Sequence, residues 1–259
     1  MYDLVIEPTS YCNQSCYFCP QHKYRLRNKT MSMEMFKVII DSIYDMRIPI
    51  KLINFSGMGE PLMDDLLFEK AKYARKVCTK IEFYTNGALF TEKKMKLSNE
   101  TMNRVYFSIH TDTPAEYEKY SGNKFEKIKK IARSANRILG SKLIILNYPH
   151  GSIGRHLGLP TGPTHPFHNW GDEEISKRTG SKMSGCQFCG ILEAIKVRVD
   201  GTISTCANDW NIKNDILNRK FPACRTCYNY KHFKSMISDH RFNDYIKMLK
   251  GLQKRIHGH

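Results

Sequence analysis

The sequence contains no apolar run that approaches the roughly 18 to 20 residues of a membrane-spanning helix. Its first residues, MYDLVIEPTSYC, also lack the basic segment and following apolar segment that make up a secretory signal. We therefore expect a cytoplasmic protein with no membrane span. In that compartment cysteine thiols stay reduced, and clustered cysteines indicate metal ligands or redox groups.

Acidic residues are scarce relative to basic ones, with 25 Asp and Glu against 41 Lys and Arg and a formal net charge of +16. This balance favours an anionic partner, such as nucleic acid, a phosphorylated or nucleotide-linked small molecule, or an anionic membrane surface. Lysines that only keep helix surfaces solvated explain the charge equally well. Helix-turn-helix, RNP-type and zinc-finger signatures are missing from the sequence, so we expect a small-molecule substrate, anionic or neutral, rather than nucleic acid.

The first 147 residues alternate between short apolar runs and amphipathic segments. Strand-like runs cover residues 3–8, 51–57, 80–87, 103–110 and 141–147. Helical patterns cover residues 33–46, 65–77, 91–98 and 114–139. Strands that alternate with helices in this way predict an α/β fold with a parallel sheet and right-handed crossovers.

The remaining sequence divides into two parts after residues 1–147. Residues 148–185 are rich in Gly, Pro and His without a sustained period, which predicts an irregular segment at the substrate pocket. Within residues 186–259, apolar residues alternate on both sides of Asp200-Gly201 and predict a β-hairpin. A cysteine-bearing stretch and a helical tail follow the hairpin. We therefore expect a parallel α/β domain, an irregular segment and a small C-terminal module.

Four motifs that suggest chemistry each accompany a predicted strand. The cysteines of SYCNQSCYFCP follow the first strand, GMGEP the second and TNG the third, and SIH ends the fourth. Binding sites in parallel α/β folds form at the carboxyl ends of the strands. We therefore expect all four motifs at one edge of the sheet.

Cys12, Cys16 and Cys19 lie on one short loop without a fourth cysteine beside them. Three is unsuited to disulfides, which need an even number, and to a structural zinc site, which usually has four ligands. Three thiolates can instead hold three corners of a cubane iron–sulfur cluster and leave one iron open to a small molecule. A zinc knuckle or a redox loop is the alternative interpretation.

This Cys-x3-Cys-x2-Cys spacing after an N-terminal strand, with aromatic Phe18 before the third cysteine, resembles the radical S-adenosylmethionine (SAM) enzymes. The resemblance implies a shortened, partial (β/α) barrel, a [4Fe-4S] cluster on the three cysteines, and SAM bound to the open iron. It implies that an external donor of the flavodoxin or ferredoxin type supplies one electron. That electron cleaves SAM to a 5′-deoxyadenosyl radical, which abstracts hydrogen from the substrate. The backbone beside Phe18 would meet the adenine.

Met58-Gly59-Glu60 in FSGMGEPLMD resembles the Gly-Gly-Glu motif of the same family, with Met58 where glycine is usual. The resemblance implies that the backbone from Gly57 onward and the Glu60 carboxylate hold the methionine ammonium of SAM. Glycine permits the close backbone approach that such a contact needs. Taken alone, the motif more often indicates a strand-to-helix turn.

The segments FYTNGALF and VYFSIHTDTPAEYEKYSG resemble the third and fourth strands of the family. The resemblance places Ser108 and His110 at the ribose or carboxylate of SAM, and Asn86 on the same edge. Each of these residues, taken alone, is more often a strand-end polar residue that satisfies a turn.

A second set of cysteines near the C-terminus comprises Cys186, Cys189, Cys206, Cys224 and Cys227. Its spacing around the hairpin resembles the Twitch module, a shortened SPASM domain, which implies one auxiliary [4Fe-4S] cluster with four cysteine ligands. Cys189 is favoured over Cys186 because its distance from the hairpin glycine is nearer the usual one. A zinc ribbon is the alternative. Cys78, on a predicted helix, is expected to be a small buried hydrophobe.

The layout as a whole resembles the radical SAM dehydrogenases of aminocyclitols, the 2-deoxy-scyllo-inosamine dehydrogenases. The resemblance implies oxidation of an alcohol carbon, with the auxiliary cluster as electron acceptor. The alternatives are a peptide-modifying radical SAM enzyme, a sugar epimerase and, from a different class, a zinc- or cluster-stabilised nucleic-acid-binding protein. Candidate substrate contacts, none of them identified as a catalytic base, are His150, Arg155, His156, His165, His168 and Trp170.

Overall fold

The computed structural model describes residues 1–16, 19, 21, 28–147, 153–162, 194–204 and 240–258. The strands within these residues are β1 (Tyr2–Ile6), β2 (Ile50–Phe55), β3 (Ile81–Thr85), β4 (Arg104–Ile109), β5 (Leu143–Asn147), β6 (Ala194–Val197) and β7 (Ile203–Ser204). The α-helices are α1 (Met33–Asp45), α2 (Leu67–Ala74), α3 (Glu92–Thr101), α4 (Pro114–Ser121), α5 (Phe125–Leu139), α6 (Ile153–Leu157) and α7 (His240–His257). Short 3-10 turns cover Pro61–Met63 and Gly140–Lys142.

These strands form one sheet in the order β5-β4-β3-β2-β1-β6-β7. The strands β1 to β5 run parallel, each paired with the next along the chain, and β6 pairs in parallel with the other side of β1. The β6–β7 pair is antiparallel. Because the sheet does not close on itself within the described residues, it confirms the predicted α/β fold with a partial barrel of parallel strands.

Most predicted elements agree with the observed ones, and two differ. The single helical pattern over 114–139 is divided into α4 and α5, because Gly122 ends α4 in the left-handed conformation with φ 68°, where glycine has no Cβ penalty. In the segment predicted to be irregular, α6 forms a short helix. Its Ile153 and Leu157, one turn apart, are both fully buried, so packing stabilises it.

The helices bury apolar stripes against the sheet. On α1 the buried apolar residues are Phe36, Ile39, Ile40 and Ile43, which follow the spacing of one helical face. The side chain of Ser32 caps the first turn of α1 by accepting a hydrogen bond from the N–H of Met35 at 3.1 Å. Alternate apolar residues of the central strands are fully buried in the same core, among them Leu4, Ile6, Ile53, Phe55, Ile81 and Phe83.

The C-terminal hairpin and helix pack on the same sheet. The strands β6 and β7 form the predicted hairpin, with Val197 opposite Ile203. The Tyr245 hydroxyl on α7 donates to the carbonyl of Ala194 at 2.6 Å, and the Gln253 side chain accepts from the N–H of Ile203 at 2.8 Å. The helix α7 also contacts α1. Among the described helices, none is long and apolar enough to cross a bilayer.

A buried ion pair anchors α2 to the loop after β2. The Lys70 ammonium lies 2.6 Å from the Asp64 carboxylate, and both side chains are at most 1% exposed. Lys70 also donates to the carbonyl of Met31, just before α1, at 2.5 Å. The pair therefore holds together the start of α1, α2 and the chain that follows GMGEP.

We expect Lys70→Ala to lower the free energy of unfolding by about 3–5 kcal/mol, because the Asp64 carboxylate would stay buried without its partner. Lys76→Ala is the control, since Lys76 and Asp41 form a pair in which both side chains are more than a third exposed. Such surface pairs contribute about 0–1 kcal/mol. Urea denaturation followed by circular dichroism measures both variants. Equal losses would show that the buried pair is not a structural anchor.

Candidate active site

Three loops meet at the carboxyl edge of the sheet. The loop after β1 carries the cysteines, the loop after β2 carries GMGEP, and the loop after β3 carries TNG. The N–H of Glu60 donates to the carbonyl of Tyr11 at 2.7 Å, and the Glu60 carboxylate accepts from the N–H of Asn86 at 2.7 Å. The structure therefore brings these three motifs into direct contact.

The cysteine loop places Cys12, Cys16 and Cys19 in half-buried positions. The N–H of Cys19 donates to the carbonyl of Cys16 at 2.9 Å, which closes a turn between them. The side-chain amide nitrogen of Asn86 lies 3.9 Å from the Cys12 sulfur, and the Cys16 thiol lies 3.6 Å from Oε1 of Gln14. Two of the three sulfurs therefore have an uncharged polar side chain beside them.

Burial raises the pKa of all three thiols, that of Cys12 to about 11. Neighbouring cysteines raise the pKa of Cys12 and Cys16 further, so these sulfurs are close enough to repel one another as thiolates. Thiolates are the form that binds metal, and a bound cationic centre compensates their charge. The loop therefore suits three thiolates only together with a metal centre.

The spacing of the thiols does not suit a single metal ion. Within the described residues, no group of three or more His, Cys, Asp or Glu side chains could hold one. A cluster needs wider spacing, because each of its cysteine ligands binds a different iron atom. Three thiols on one loop match the number of cysteine ligands of the cluster that the resemblance implies.

Gly59 packs directly against the backbone of the cysteine loop. A Cβ at this position would lie 2.7 Å from the carbonyl oxygen of Tyr11 and closer still to that of Thr9. Met58 is accommodated on this loop, where its N–H is already in use as a donor to Oε1 of Glu7 at 2.9 Å. The departure from glycine at Met58 is therefore compatible with the loop, whereas Gly59 is required by the lack of space.

The Glu60 carboxylate is buried and bonded to three protein donors. Oε1 accepts from the N–H of Leu62 at 3.1 Å and from the Thr85 hydroxyl at 2.7 Å, and Oε2 accepts from the N–H of Asn86. Burial raises the pKa of this carboxyl, and the three hydrogen bonds oppose the rise. A carboxylate has about four acceptor sites, so the three protein donors leave about one of them unused. The contact between Glu60 and the SAM ammonium stays a prediction.

Asn86 connects the loop after β3 to the cysteine loop, because its Nδ2 donates to Oδ1 of Asn13 at 2.9 Å. Ser108 lies in β4 and His110 directly after it, both half-buried at the same edge of the sheet. The N–H of His110 donates to the Tyr120 hydroxyl at 3.2 Å. The roles of Asn86, Ser108 and His110 toward SAM stay predictions.

Sequence reasoning does not identify Glu7, which directly follows β1. Its buried carboxylate accepts from the N–H of Met58 through Oε1 and from the N–H of Val199 through Oε2, at 2.9 and 3.2 Å. Gly57 packs on the same side chain, where a Cβ would lie 2.6 Å from Cγ of Glu7. Glu7 therefore connects the GMGEP loop to the β6–β7 turn. The sequence signal that could have identified Glu7 is an acidic residue at the end of an apolar strand, because such a residue needs buried hydrogen-bond donors.

Several predicted site residues lie outside the described residues, namely Phe18, His150, His165, His168, Trp170, Cys186, Cys189, Cys206, Cys224 and Cys227. Of the other substrate candidates, Arg155 and His156 are exposed on α6. The His156 ring meets the Phe125 ring edge-to-face, with 6.4 Å between centroids. Cys78 is buried in the core, as predicted, but it lies four residues beyond the end of α2 rather than on the helix.

The sequence matches the family described as the radical SAM superfamily over residues 6–152, more than half of the chain. The chain therefore belongs to the radical SAM superfamily, whose enzymes use a [4Fe-4S] cluster and SAM. The matched residues include the cysteine loop and the loops after β2, β3 and β4 that contact it or lie beside it.

Two curated relatives with different names each match about half of this chain. The tungsten-containing aldehyde ferredoxin oxidoreductase cofactor-modifying protein of Pyrococcus furiosus is 28% identical over 137 residues, 50% of this chain and 38% of that protein. A probable GTP 3',8-cyclase of Methanococcus maripaludis is 31% identical over 125 residues, 47% of this chain and 41% of that protein. The chain thus spans less than half the length of these relatives.

Two solved structures share the fold over most of the chain. BtrN in complex with AdoMet and 2-DOIA has a TM-score of 0.56 and 18% identity, and covers 98% of this chain and 89% of its own. Streptococcus suis SuiB bound to the precursor peptide SuiA has a TM-score of 0.61 and 13% identity, and covers 82% of this chain and 61% of its own. At these identities, the similarity shows the fold.

We expect Gly59→Ala to destabilise the chain by about 1–3 kcal/mol, because the added methyl overlaps the carbonyls of Thr9 and Tyr11 and displaces the cysteine loop. Gly251→Ala is the matched control, since its Cβ would meet only the flexible end of Met46 at 3.2 Å. Circular dichroism melting and iron content after anaerobic reconstitution measure the two effects. If both variants melt and load iron alike, Gly59 does not hold the loop.

Proposed function

We propose that this chain oxidises an alcohol carbon of a sugar or aminocyclitol-type metabolite, with an auxiliary [4Fe-4S] cluster as electron acceptor. The observation that supports the proposal is the shared fold over 98% of the chain with BtrN, whose structure contains AdoMet and 2-DOIA. Radical SAM enzymes need an external electron donor, which we propose to be of the flavodoxin or ferredoxin type.

Within this proposal, Cys12, Cys16 and Cys19 hold the cluster that binds SAM. When bound, that cluster supplies the electron that cleaves SAM to the 5′-deoxyadenosyl radical, which removes hydrogen from the substrate. The chain's own residues orient SAM at the carboxyl edge of the sheet. We assign this role to Phe18, Gly57, Met58, Gly59, Glu60, Asn86, Ser108 and His110. The contacts of Glu60 with Tyr11 and Asn86 support the assignment, because they hold three of the contributing loops in one arrangement.

The hairpin geometry supports an auxiliary site near its open end. Because β6 and β7 are antiparallel, with Lys196 opposite Ser204, the chain enters and leaves the hairpin at the same end. Cys206 lies two residues beyond Ser204, and Cys189 lies seven residues before Lys196. At about 3.5 Å per residue these cysteines are within about 7 and 25 Å of the paired residues. Both can therefore reach one site.

We propose that Cys189, Cys206, Cys224 and Cys227 bind the auxiliary cluster. Cys186 is the alternative to Cys189, since only two residues separate them. The module would comprise residues 186–259, after the barrel of residues 1–147 and the pocket segment of residues 148–185. In that arrangement the β6–β1 pairing joins the module to the barrel sheet.

Peptide modification is the second candidate function. The observation that favours it is the fold shared with SuiB, whose structure contains the precursor peptide SuiA. On a peptide substrate, the reaction would be thioether formation, epimerisation or side-chain oxidation. Sugar epimerisation is a further variant, which would need a hydrogen donor such as a cysteine thiol.

We expect the reconstituted chain, supplied anaerobically with dithionite and SAM, to release 5′-deoxyadenosine, and Cys16→Ala to reduce the release to background. The reason is that only two thiolates would remain to hold the cluster. Cys78→Ser is the control, because Cys78 lies in the core away from the cysteine loop and serine can keep its hydrogen bonds to Lys80. Chromatographic quantification of 5′-deoxyadenosine measures the effect. Full activity in Cys16→Ala would contradict the cluster assignment.

We expect about eight iron atoms per reconstituted chain, and about four in Cys224→Ala, because each [4Fe-4S] cluster contributes four. With aminocyclitols or sugars deuterated at the alcohol carbon, label should appear in 5′-deoxyadenosine and the product should be a ketone. Colorimetric iron and sulfide assays and mass spectrometry measure these outcomes. Solvent hydrogen in an isomeric product would indicate epimerisation instead, and turnover of a peptide with no sugar oxidation would favour the second candidate.

A further inference from the structure

Gln14 lies between the first two cysteines, with its side chain buried at 7% exposure. Its Oε1 faces the Cys16 sulfur at 3.6 Å, in the geometry of a thiol that donates to the amide oxygen. Its Nε2 is buried and has no hydrogen-bond partner within the described part of the chain. In this orientation the oxygen of the Gln14 amide has a hydrogen-bond partner and the nitrogen has none among the residues that the structure describes. A buried amide nitrogen with two unused N–H donors costs free energy.

A second buried polar atom without a partner lies nearby, in the Tyr117 hydroxyl on α4. The Tyr117 side chain is among the largest that are fully buried. Burial raises the pKa of its phenol to about 12, whereas Ser121 and Gln14 are near enough to lower it. Neither of them reaches hydrogen-bond geometry with the hydroxyl within the described residues. Two orphan groups, one on the cysteine loop and one on α4, therefore lie close together.

Ligation to iron reverses what Cys16 requires from its neighbour. A thiol donates one weak hydrogen bond, but a thiolate can only accept. The amide oxygen of Gln14, which suits the thiol, would repel the thiolate. Rotation of the carboxamide by half a turn would place Nε2–H against the sulfur and move Oε1 away from it. The Tyr117 hydroxyl could then donate to that oxygen, so one rotation gives both orphan groups a partner.

We propose that Gln14 donates an N–H hydrogen bond to the Cys16 thiolate and that Tyr117 holds the amide in this orientation. Both are positioning residues, and the inference rests on the proposed cluster at Cys12, Cys16 and Cys19. Hydrogen bonds to the sulfurs are one of the terms that set the reduction potential of an iron–sulfur cluster. A donor stabilises the reduced cluster most, because that form carries more negative charge. Gln14 therefore makes the cluster easier to reduce.

The test is the midpoint potential of the reconstituted cluster, measured by redox titration with electron paramagnetic resonance detection. Gln14→Met keeps the side-chain volume and removes the donor. We expect about a tenfold loss in the preference for the reduced state, which is a shift of about 59 mV to more negative potential for one electron. Tyr117→Phe should shift the potential in the same direction by less, because the amide remains but loses its orientation.

Gln21→Met is the matched control, since Gln21 is on the same loop and its side-chain amide donates to the carbonyl of Ser10 at 3.1 Å. It should leave the potential unchanged. In electron–nuclear double resonance, a deuterium-exchangeable proton coupled to the reduced cluster should weaken in Gln14→Met and persist in Gln21→Met.

An unchanged potential in a Gln14→Met chain with full iron content would overturn the inference, as would equal shifts in Gln14→Met and Gln21→Met. If Gln14→Met does not retain the cluster, Tyr117→Phe and the proton coupling of the wild-type chain decide the question. Failure of the wild-type chain to show any cluster signal would instead overturn the proposed function, together with the inference that depends on it.

Discussion

The candidate site depends on one buried residue, Glu60, which joins the loops after β1, β2 and β3. Its N–H donates to the carbonyl of Tyr11, its carboxylate accepts from Thr85 and Asn86 at the end of β3, and Gly59 beside it leaves no space between the loops. A carboxylate is costly to bury unless donors satisfy it. Because Glu60 has three of them, the native arrangement satisfies this carboxylate, and separating the loops would leave it unpaired. The cysteines are held over the sheet edge as a consequence.

Glu7 joins the barrel to the C-terminal hairpin through hydrogen bonds to its buried carboxylate. It accepts one hydrogen bond from the GMGEP loop and one from the turn between β6 and β7. Since β6 also pairs with β1 along its whole length, the hairpin is part of the barrel sheet. A shift of the hairpin would therefore disturb the loop that we assign to SAM, which gives a physical route by which the two ends of the chain affect each other.

The surroundings of the cysteine loop explain why a cluster suits it. The three thiols are partly removed from water, and neighbouring cysteines raise the pKa of Cys12 and Cys16, so thiolates there need both a cationic centre and nearby donors. Asn86 already directs its amide nitrogen at Cys12, and Gln14 is placed to do so at Cys16. The neighbouring side chains thus belong to the site as much as the cysteines do.

The sequence alone determined the strands, the helices other than α6, the cysteine loop and the hairpin at Asp200-Gly201, because each depends on spacing between residues close in the chain. It could not determine the split at Gly122, which rests on a left-handed backbone conformation. Only the tertiary structure decided that β6 pairs with β1, that Glu7 connects two distant segments, and that Gln14 lies near Tyr117. Contacts between residues far apart in sequence arise from packing, so no periodic pattern in the local sequence predicts them.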